Sequence, residues 1–255
     1  MFKRENLLFI FLGGFFITNA LIAEFIGVKI FSLEASFGVD PVDWSFLGQE
    51  NLSFNLTAGV LLWPVVFIMT DIINEYYGKK GVRLLSYLTV GLISYAFLMV
   101  TLAIKVVPAE FWLGINQDIS PSIDVAYKRV FGQGLGIIVG SLGAFLIGQI
   151  VDVTVFQWLR KFTGSSKIWL RATGSTLVSQ LIDSFVVLFI AFYVFPEAAL
   201  KWPFAQVLAV GTVNYVYKFS MAILLTPLLY VVHYAIDAYL GEERSKELVS
   251  KASEE

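Results

Sequence analysis

The sequence of 255 residues contains no cysteine and a single histidine, His233. Without thiols there are no disulfides, no thiol nucleophile and no Cys-ligated metal; one imidazole excludes a His-rich metal site. Charge is also scarce. Asp, Glu, Lys and Arg make up 15% of the chain, against about 25% in a soluble domain. A formal net charge of −2 gives no electrostatic basis for a nucleic-acid partner. What fills the space is apolar: 57% of residues are hydrophobic and 23 are Phe. A soluble fold could not cover that much apolar surface with so few charges. The composition points to the lipid bilayer as the partner that surrounds the chain.

A helix that crosses lipid needs about 20 mainly apolar residues. Six stretches qualify, at 7–26, 54–73, 84–107, 135–159, 176–195 and 204–240. Stretches such as 184–195 are apolar on every side, which excludes the alternating pattern of a membrane β-barrel. The expected fold is therefore all-α: a polytopic membrane protein with six transmembrane helices. Lys3 and Arg4 precede the first run as in a signal peptide, but the run continues to Ile26 without a small-x-small cleavage site and reads as a retained span. The last stretch would reach roughly 55 Å as one straight helix, so it is expected to tilt, protrude, or break near Lys218 or Pro227. Trp63-Pro64 is expected to kink the second span.

Basic residues alternate between connections. Lys3 and Arg4, then Lys79, Lys80 and Arg83, then Arg160, Lys161, Lys167 and Arg171 fall on one side. The first connection, 27–53, holds only Lys29 against Glu34, Asp40, Asp43 and Glu50, and the fifth holds only Lys201. The positive-inside bias then puts both termini in the cytoplasm. The domain organisation is a six-helix transmembrane domain, 1–241, followed by a charged cytoplasmic tail, 242–255, expected as a solvated short helix or disordered end.

The informative residues are polar ones inside apolar runs, where an ionised side chain costs about 2.5–3.5 kcal/mol on insertion scales and normally faces a partner or a wet cavity. Asp71, Asn74 and Glu75 end the second span at i, i+3 and i+4, hence on one helix face. The fourth span carries Gln149-Ile150-Val151-Asp152 and the fifth Gln180-Leu181-Ile182-Asp183. In each, Gln and Asp share a face, and the two glutamines are expected at similar depth on adjacent antiparallel helices. Two readings stand: a substrate or ion site, or hydrogen-bonded structural glue between helices. For Glu75 and Asn74 the alternative is pairing with Lys79 or Arg83 at the interface. Lys218, about 21 Å into the last stretch, cannot easily reach either surface and needs a counter-ion among Asp71, Asp152 and Asp183. Asn19 and Asn214 are candidates for the same polar layer. Gly136, Gly140, Ala144 and Gly148 form a small-residue stripe for close helix packing.

A buried layer of Asp, Gln and Asn suits a ligand rich in hydrogen-bond donors, because a carboxylate accepts two N–H groups side by side and amides both donate and accept. A nucleobase-like molecule, a small cation or a relayed proton would each fit. No metal or cofactor is implied. An intramembrane enzyme is disfavoured, since Gly174-Ser175-Thr176 is no nucleophile elbow and His233 has no evident partner in the sequence.

The stretches Asp71-Ile72-Ile73-Asn74-Glu75-Tyr76-Tyr77-Gly78, Gly148-Gln149-Ile150-Val151-Asp152 and Arg171 through Ser184 resemble the queuosine precursor transporter family, also called the vitamin uptake transporter family. The resemblance runs from about Asn19 to Asp237. It implies a six-helix carrier of the inner (cytoplasmic) membrane that imports queuosine or archaeosine precursors, 7-cyano- and 7-aminomethyl-7-deazaguanine, for transfer-RNA modification. The expected mechanism is a secondary transporter with a midplane site. The alternatives are a substrate-binding subunit of an ATP-driven, energy-coupling-factor type complex and an intramembrane enzyme. Whether the chain acts as a monomer or a homodimer is open.

Overall fold

The first apolar run folds as one helix, α1 (Arg4–Ile26), in a computed structural model that describes residues 3–132, 135–163, 167–196 and 200–254. The polar connection that follows is built from short strands. β1 (Ile30–Ser32) pairs antiparallel with β4 (Asn55–Thr57), and β2 (Trp44–Phe46) pairs with β3 (Gln49–Leu52) as a hairpin. A one-turn helix, α2 (Leu33–Ser36), lies between them, and the Glu34 carboxylate accepts the Phe54 backbone N–H at 2.8 Å. The second span therefore does not begin at Phe54 as expected. Residues 55–57 form β4, a 3₁₀ turn follows, and helix α3 (Trp63–Lys105) starts nine residues after Phe54. Pro64 occupies the first turn of α3, where a missing N–H costs nothing; it starts the helix and does not kink it.

At 43 residues α3 would be about 64 Å long if straight, twice a bilayer core. It folds back at Gly78, whose φ of 65° and ψ of −170° only glycine adopts readily. Residues 63–77 and 79–105 thus form two spans joined by a one-residue turn. The packing on α1 proves the reversal. Gly59 approaches the Ala23 carbonyl near the end of α1, and the Tyr77 hydroxyl donates to the Glu5 carbonyl (2.7 Å) near its start. From there the chain climbs back along α1, with Leu85 against Gly13 and Phe97 against Phe25. Gly78→Ala is expected to cost about 1–3 kcal/mol. The check is thermal unfolding of the purified protein in detergent, where an unchanged midpoint would contradict the strained turn.

Two short helices, α4 (Glu110–Ile115) and α5 (Ile123–Phe131), cap the far face. α6 (Leu135–Thr163) descends, and α7 (Ile168–Leu188) returns beside it, ending in a π-helical turn over Phe189–Val194. The small-residue stripe lies in this seam: Gly136 sits under Phe195, and Gly140 under Val187 and Ile190. α8 (Phe204–Leu224) and α9 (Thr226–Leu240) make the last crossing, broken at Leu225 just ahead of Pro227, on the proline side of the two expected positions. Among the described residues five helices are long and apolar enough to cross a membrane; the fold of α3 at Gly78 turns these into six crossings, an all-α polytopic membrane protein.

The segment after Gly241 is helical and docks. α10 (Glu242–Ser253) buries Ser245 and Ala252 against the bundle, pairs Arg244 with Glu5, and accepts a 2.7 Å bond from Arg160 at the Val249 carbonyl. Both chain ends consequently meet at one face, here called the terminal face. Burial is inverted relative to a soluble protein. Phe11, Leu84, Tyr95, Phe162 and Val231 are 60% exposed or more, while Asp71, Gln149, Asp152, Arg171 and Gln180 are at most 4% exposed. The apolar residues face lipid and the polar ones face each other.

Candidate functional site

The buried polar groups form three tiers along the axis of the bundle. Nearest the terminal face, Glu75 of α3 receives Nη2 of Arg171 on both carboxylate oxygens, at 2.9 and 3.0 Å. Arg160 of α6 stands 3.7 Å from the same carboxylate, and the Arg171 guanidinium lies over the Phe156 ring at 5.5 Å. Asn74 accepts the Gln157 amide at 2.7 Å. Glu75 is thus bound by two arginines from the fourth and fifth spans, and not by Lys79 or Arg83. Below this tier, a vestibule of about 790 Å³ opens at the terminal face between Glu75, Arg160, His233, Asp237 and α10.

His233 does have partners. The Tyr76 hydroxyl lies 2.8 Å from its Nδ1 and donates to Asp237 at 2.7 Å. Ser245 also donates to Asp237. The serine hydroxyl therefore faces a carboxylate and not the imidazole, which is the wrong arrangement for a nucleophile and its base.

The middle tier brings together Asp71 from α3, Gln149 and Asp152 from α6, and Gln180 from α7. The hydroxyls of Ser175 and Thr176 face Asp71. Ser179 donates to Asp152 at 3.1 Å, and Thr70 donates to Gln149 at 3.0 Å. The two glutamines do not bond to each other. Among the described residues, Asp71 Oδ1, Gln149 Nε2, Asp152 Oδ2 and both polar atoms of the Gln180 amide are buried without a hydrogen-bond partner, as is Nδ2 of Asn74 on the inner tier. Buried polar atoms are ordinarily satisfied in more than nine cases in ten. So many in one layer is unusual, since each unpaired buried polar atom costs about 1–3 kcal/mol. A narrow cleft of mostly apolar walls, with Trp63, Phe67, Ala222 and Leu229, leads to Asp71, Thr176 and Gln180.

The outer tier holds the ion pair between Lys218 of α8 and Asp183 of α7, 13% and 18% exposed. Of the three carboxylates considered for Lys218, Asp183 is the partner. Asp183, Ser184, Asn214 and Lys218 line a chamber of about 440 Å³ that opens at the far face beneath the β1–β4 sheet. Lys218 borders both this chamber and the narrow cleft. Asp183 therefore sits in a different tier from Gln180, although both belong to one short motif. Asn19 donates to the Phe15 carbonyl of its own helix at 2.8 Å and joins none of the three tiers through a hydrogen bond.

Several members stand out only in the structure. In the sequence Arg160 and Arg171 fall among the basic residues of a connection. The recurrence of Arg171, Ser175, Ser179 and Asp183 at every fourth position was the available signal for a polar face on α7. Glu24, buried near the end of α1 and bonded by the Ser141 hydroxyl, also lines the outer chamber. Its position two residues from the end of an apolar run hid it among interfacial charges.

The chain matches the family described as "Putative vitamin uptake transporter" over residues 57–232. It is 32% identical over 196 residues to the "Probable queuosine precursor transporter" of Bacillus subtilis (strain 168), covering 75% of this chain and 77% of that protein. The "Queuosine precursor transporter" of Escherichia coli (strain K12) is 29% identical over 173 residues, covering 68% and 70%. No solved structure matches. The matched region contains all three tiers apart from Glu24, and on the strength of this coverage the chain belongs to the vitamin uptake transporter family.

Proposed function

We propose that the protein is a secondary transporter that imports queuosine precursors of the 7-deazaguanine class across the inner (cytoplasmic) membrane, with the middle tier as its binding site. The observation that carries this reading is the layer of unsatisfied carboxyl and amide atoms from three separate helices, placed between an outer chamber and an inner vestibule. A guanine-like edge presents adjacent N–H donors, which one carboxylate can accept together, and its carbonyl and ring nitrogens match the free Gln149 and Gln180 amides. The terminal face is cytoplasmic by its excess of Lys and Arg. In this arrangement the chamber is open on the outside, while Glu75, Arg160 and Arg171 close the cytoplasmic side. Alternating access requires that inner cluster to part once ligand is bound and the outer chamber to close.

The test is uptake of labelled 7-cyano- and 7-aminomethyl-7-deazaguanine by a strain that cannot make them and lacks any energy-coupling-factor complex, with this chain as its sole importer. Accumulation of chemically unchanged ligand is the expected result. No uptake, or uptake only when an ATP-driven partner is supplied, would overturn the secondary-transporter reading.

A further inference from the structure

The middle tier holds two carboxyls, and among the described residues neither forms an ion pair. Asp71 of α3 and Asp152 of α6 are 4% and 0% exposed. They lie within electrostatic reach of each other, and the hydroxyls of Ser175 and Thr176 face both. The charged groups on the surrounding elements are engaged elsewhere. Arg171 and Arg160 hold Glu75 in the inner tier, and Lys218 rests on Asp183 in the outer one. Two neighbouring carboxylates cannot both stay ionised in a low-dielectric interior. A proton held between them removes one of the two charges, and it belongs to the pair. The two members are not equivalent. Asp152 is held by the Ser179 hydroxyl at 3.1 Å, whereas Asp71 borders the narrow cleft, so Asp71 is the member that can exchange a proton with its surroundings. A second observation points to an exchangeable ligand. Gln180, 2% exposed, lines the same cleft with an amide that has no hydrogen-bond partner among the described residues. Lys218 borders both this cleft and the outer chamber, so the route from the chamber to Asp71 runs past its ammonium.

We infer that the Asp71–Asp152 pair is the binding site of a coupling proton, taken up through Asp71 and carried inward with the ligand. The inference rests on the reading of the chain as a secondary importer of 7-deazaguanines, and it names the ion that drives it. With one proton on the pair, the tier keeps a single carboxylate for the adjacent N–H groups of the ligand. When the inner cluster parts, the proton leaves Asp71 for cytoplasmic water, and the second negative charge returns to the tier. Lys218, on the same cleft, is the cation placed to meet that charge while the carrier resets.

The experiment uses the full-length chain in proteoliposomes and labelled 7-cyano-7-deazaguanine, a neutral ligand, so that the charge carried is that of the proton alone. An acid-outside gradient is expected to raise accumulation by up to about tenfold per pH unit, the limit for one proton per ligand, and a protonophore to abolish the rise. Asp71→Asn is expected to lose the response to the gradient. Asp71→Glu, which keeps the carboxyl, is expected to retain part of it, and it decides the matter should the Asn variant insert poorly. Infrared spectra give a readout that needs no transport. The wild type is expected to show the carbonyl stretch of a protonated carboxyl at neutral pH, and Asp71→Asn, where Asp152 no longer has a second acid beside it, to lack that band. Accumulation indifferent to the pH gradient, accumulation driven by a sodium gradient in its place, or a response that survives in Asp71→Asn would each overturn the proton site. If the wild type takes up no 7-deazaguanine under any gradient, the importer reading fails and the coupling with it, while the infrared band still decides whether the pair holds a proton.

Discussion

Arg171→Met is expected to destabilise the protein by about 3–5 kcal/mol, the usual cost of removing one partner from a buried ion pair. Among the described residues Arg171 is the largest fully buried side chain. Its removal leaves the Glu75 carboxylate with Arg160 alone, at 3.7 Å, and Arg160 is already engaged by the Val249 carbonyl of α10. The loss should appear as a lower thermal midpoint in detergent and less protein in the membrane. Removing the orphaned charge as well should recover part of the loss: Glu75→Gln with Arg171→Met is expected to be more stable than Arg171→Met alone, because an uncompensated buried charge costs more than a missing pair. A wild-type midpoint for the single variant would show that the pair contributes nothing to holding α3 against α7. The same double variant addresses function, since it leaves the terminal face without its buried ion pair. Ligand should then leak through the carrier down its gradient even where the fold is recovered.

The sequence was most legible where a physical cost was visible in it. Each of Asp71, Gln149, Asp152 and Gln180 stands in a run that lipid would otherwise surround, and the price of that placement is high enough that convergence is almost its only explanation. The fold class followed from the same solvent argument. Turns and partners were harder to read. Nothing in Tyr77-Gly78-Lys79 disrupts the helical pattern on either side, so residues 74–83 read as a connection with basic charges. In fact one glycine with a positive φ reverses the chain, leaving no loop at all. A glycine just past the end of an apolar run is the helix-stop signal that could have revealed it. Phe54 and Leu56 are apolar enough to extend a span, but Phe54 bonds to Leu33 and Glu34 of α2 and Leu56 pairs with Phe31 of β1, and a strand pairing between residues 25 positions apart leaves no local trace. Arginine is ambiguous for a different reason. At a span end it serves equally as a cytoplasmic anchor or, when the helix is long enough to carry it inward, as the counter-ion of a buried acid; only the packing of α6 and α7 against α3 distinguishes these. The tail followed the same logic in reverse. Its charges, Arg244 among them, read as solvated, yet Leu248, Val249 and Ala252 give α10 an apolar face that the bundle covers.

Asp183→Asn is expected to abolish uptake while leaving the protein in the membrane at normal yield. The pair with Lys218 is partly exposed to the outer chamber, so water can stabilise the remaining ammonium and the full penalty of a buried orphan charge does not apply. Transport is a different matter. Lys218 borders both the chamber and the cleft that leads to Asp71 and Gln180, so a ligand moving inward must pass its ammonium. A carrier that lets the ligand through while keeping this cation neutralised needs Lys218 to change carboxylate partners during the cycle, and the amide offers it none. The expected loss is on the order of a hundredfold, ~2.7 kcal/mol in barrier terms, measured as initial uptake rate per amount of membrane protein. Lys218→Met with Asp183→Asn removes both charges and separates the two roles the pair could have. If the double variant transports at the wild-type rate, the pair only glues α7 to α8. If it inserts normally and still fails to transport, the charges themselves belong to the carrier cycle, and Asp183 is the residue against which Lys218 rests between ligands.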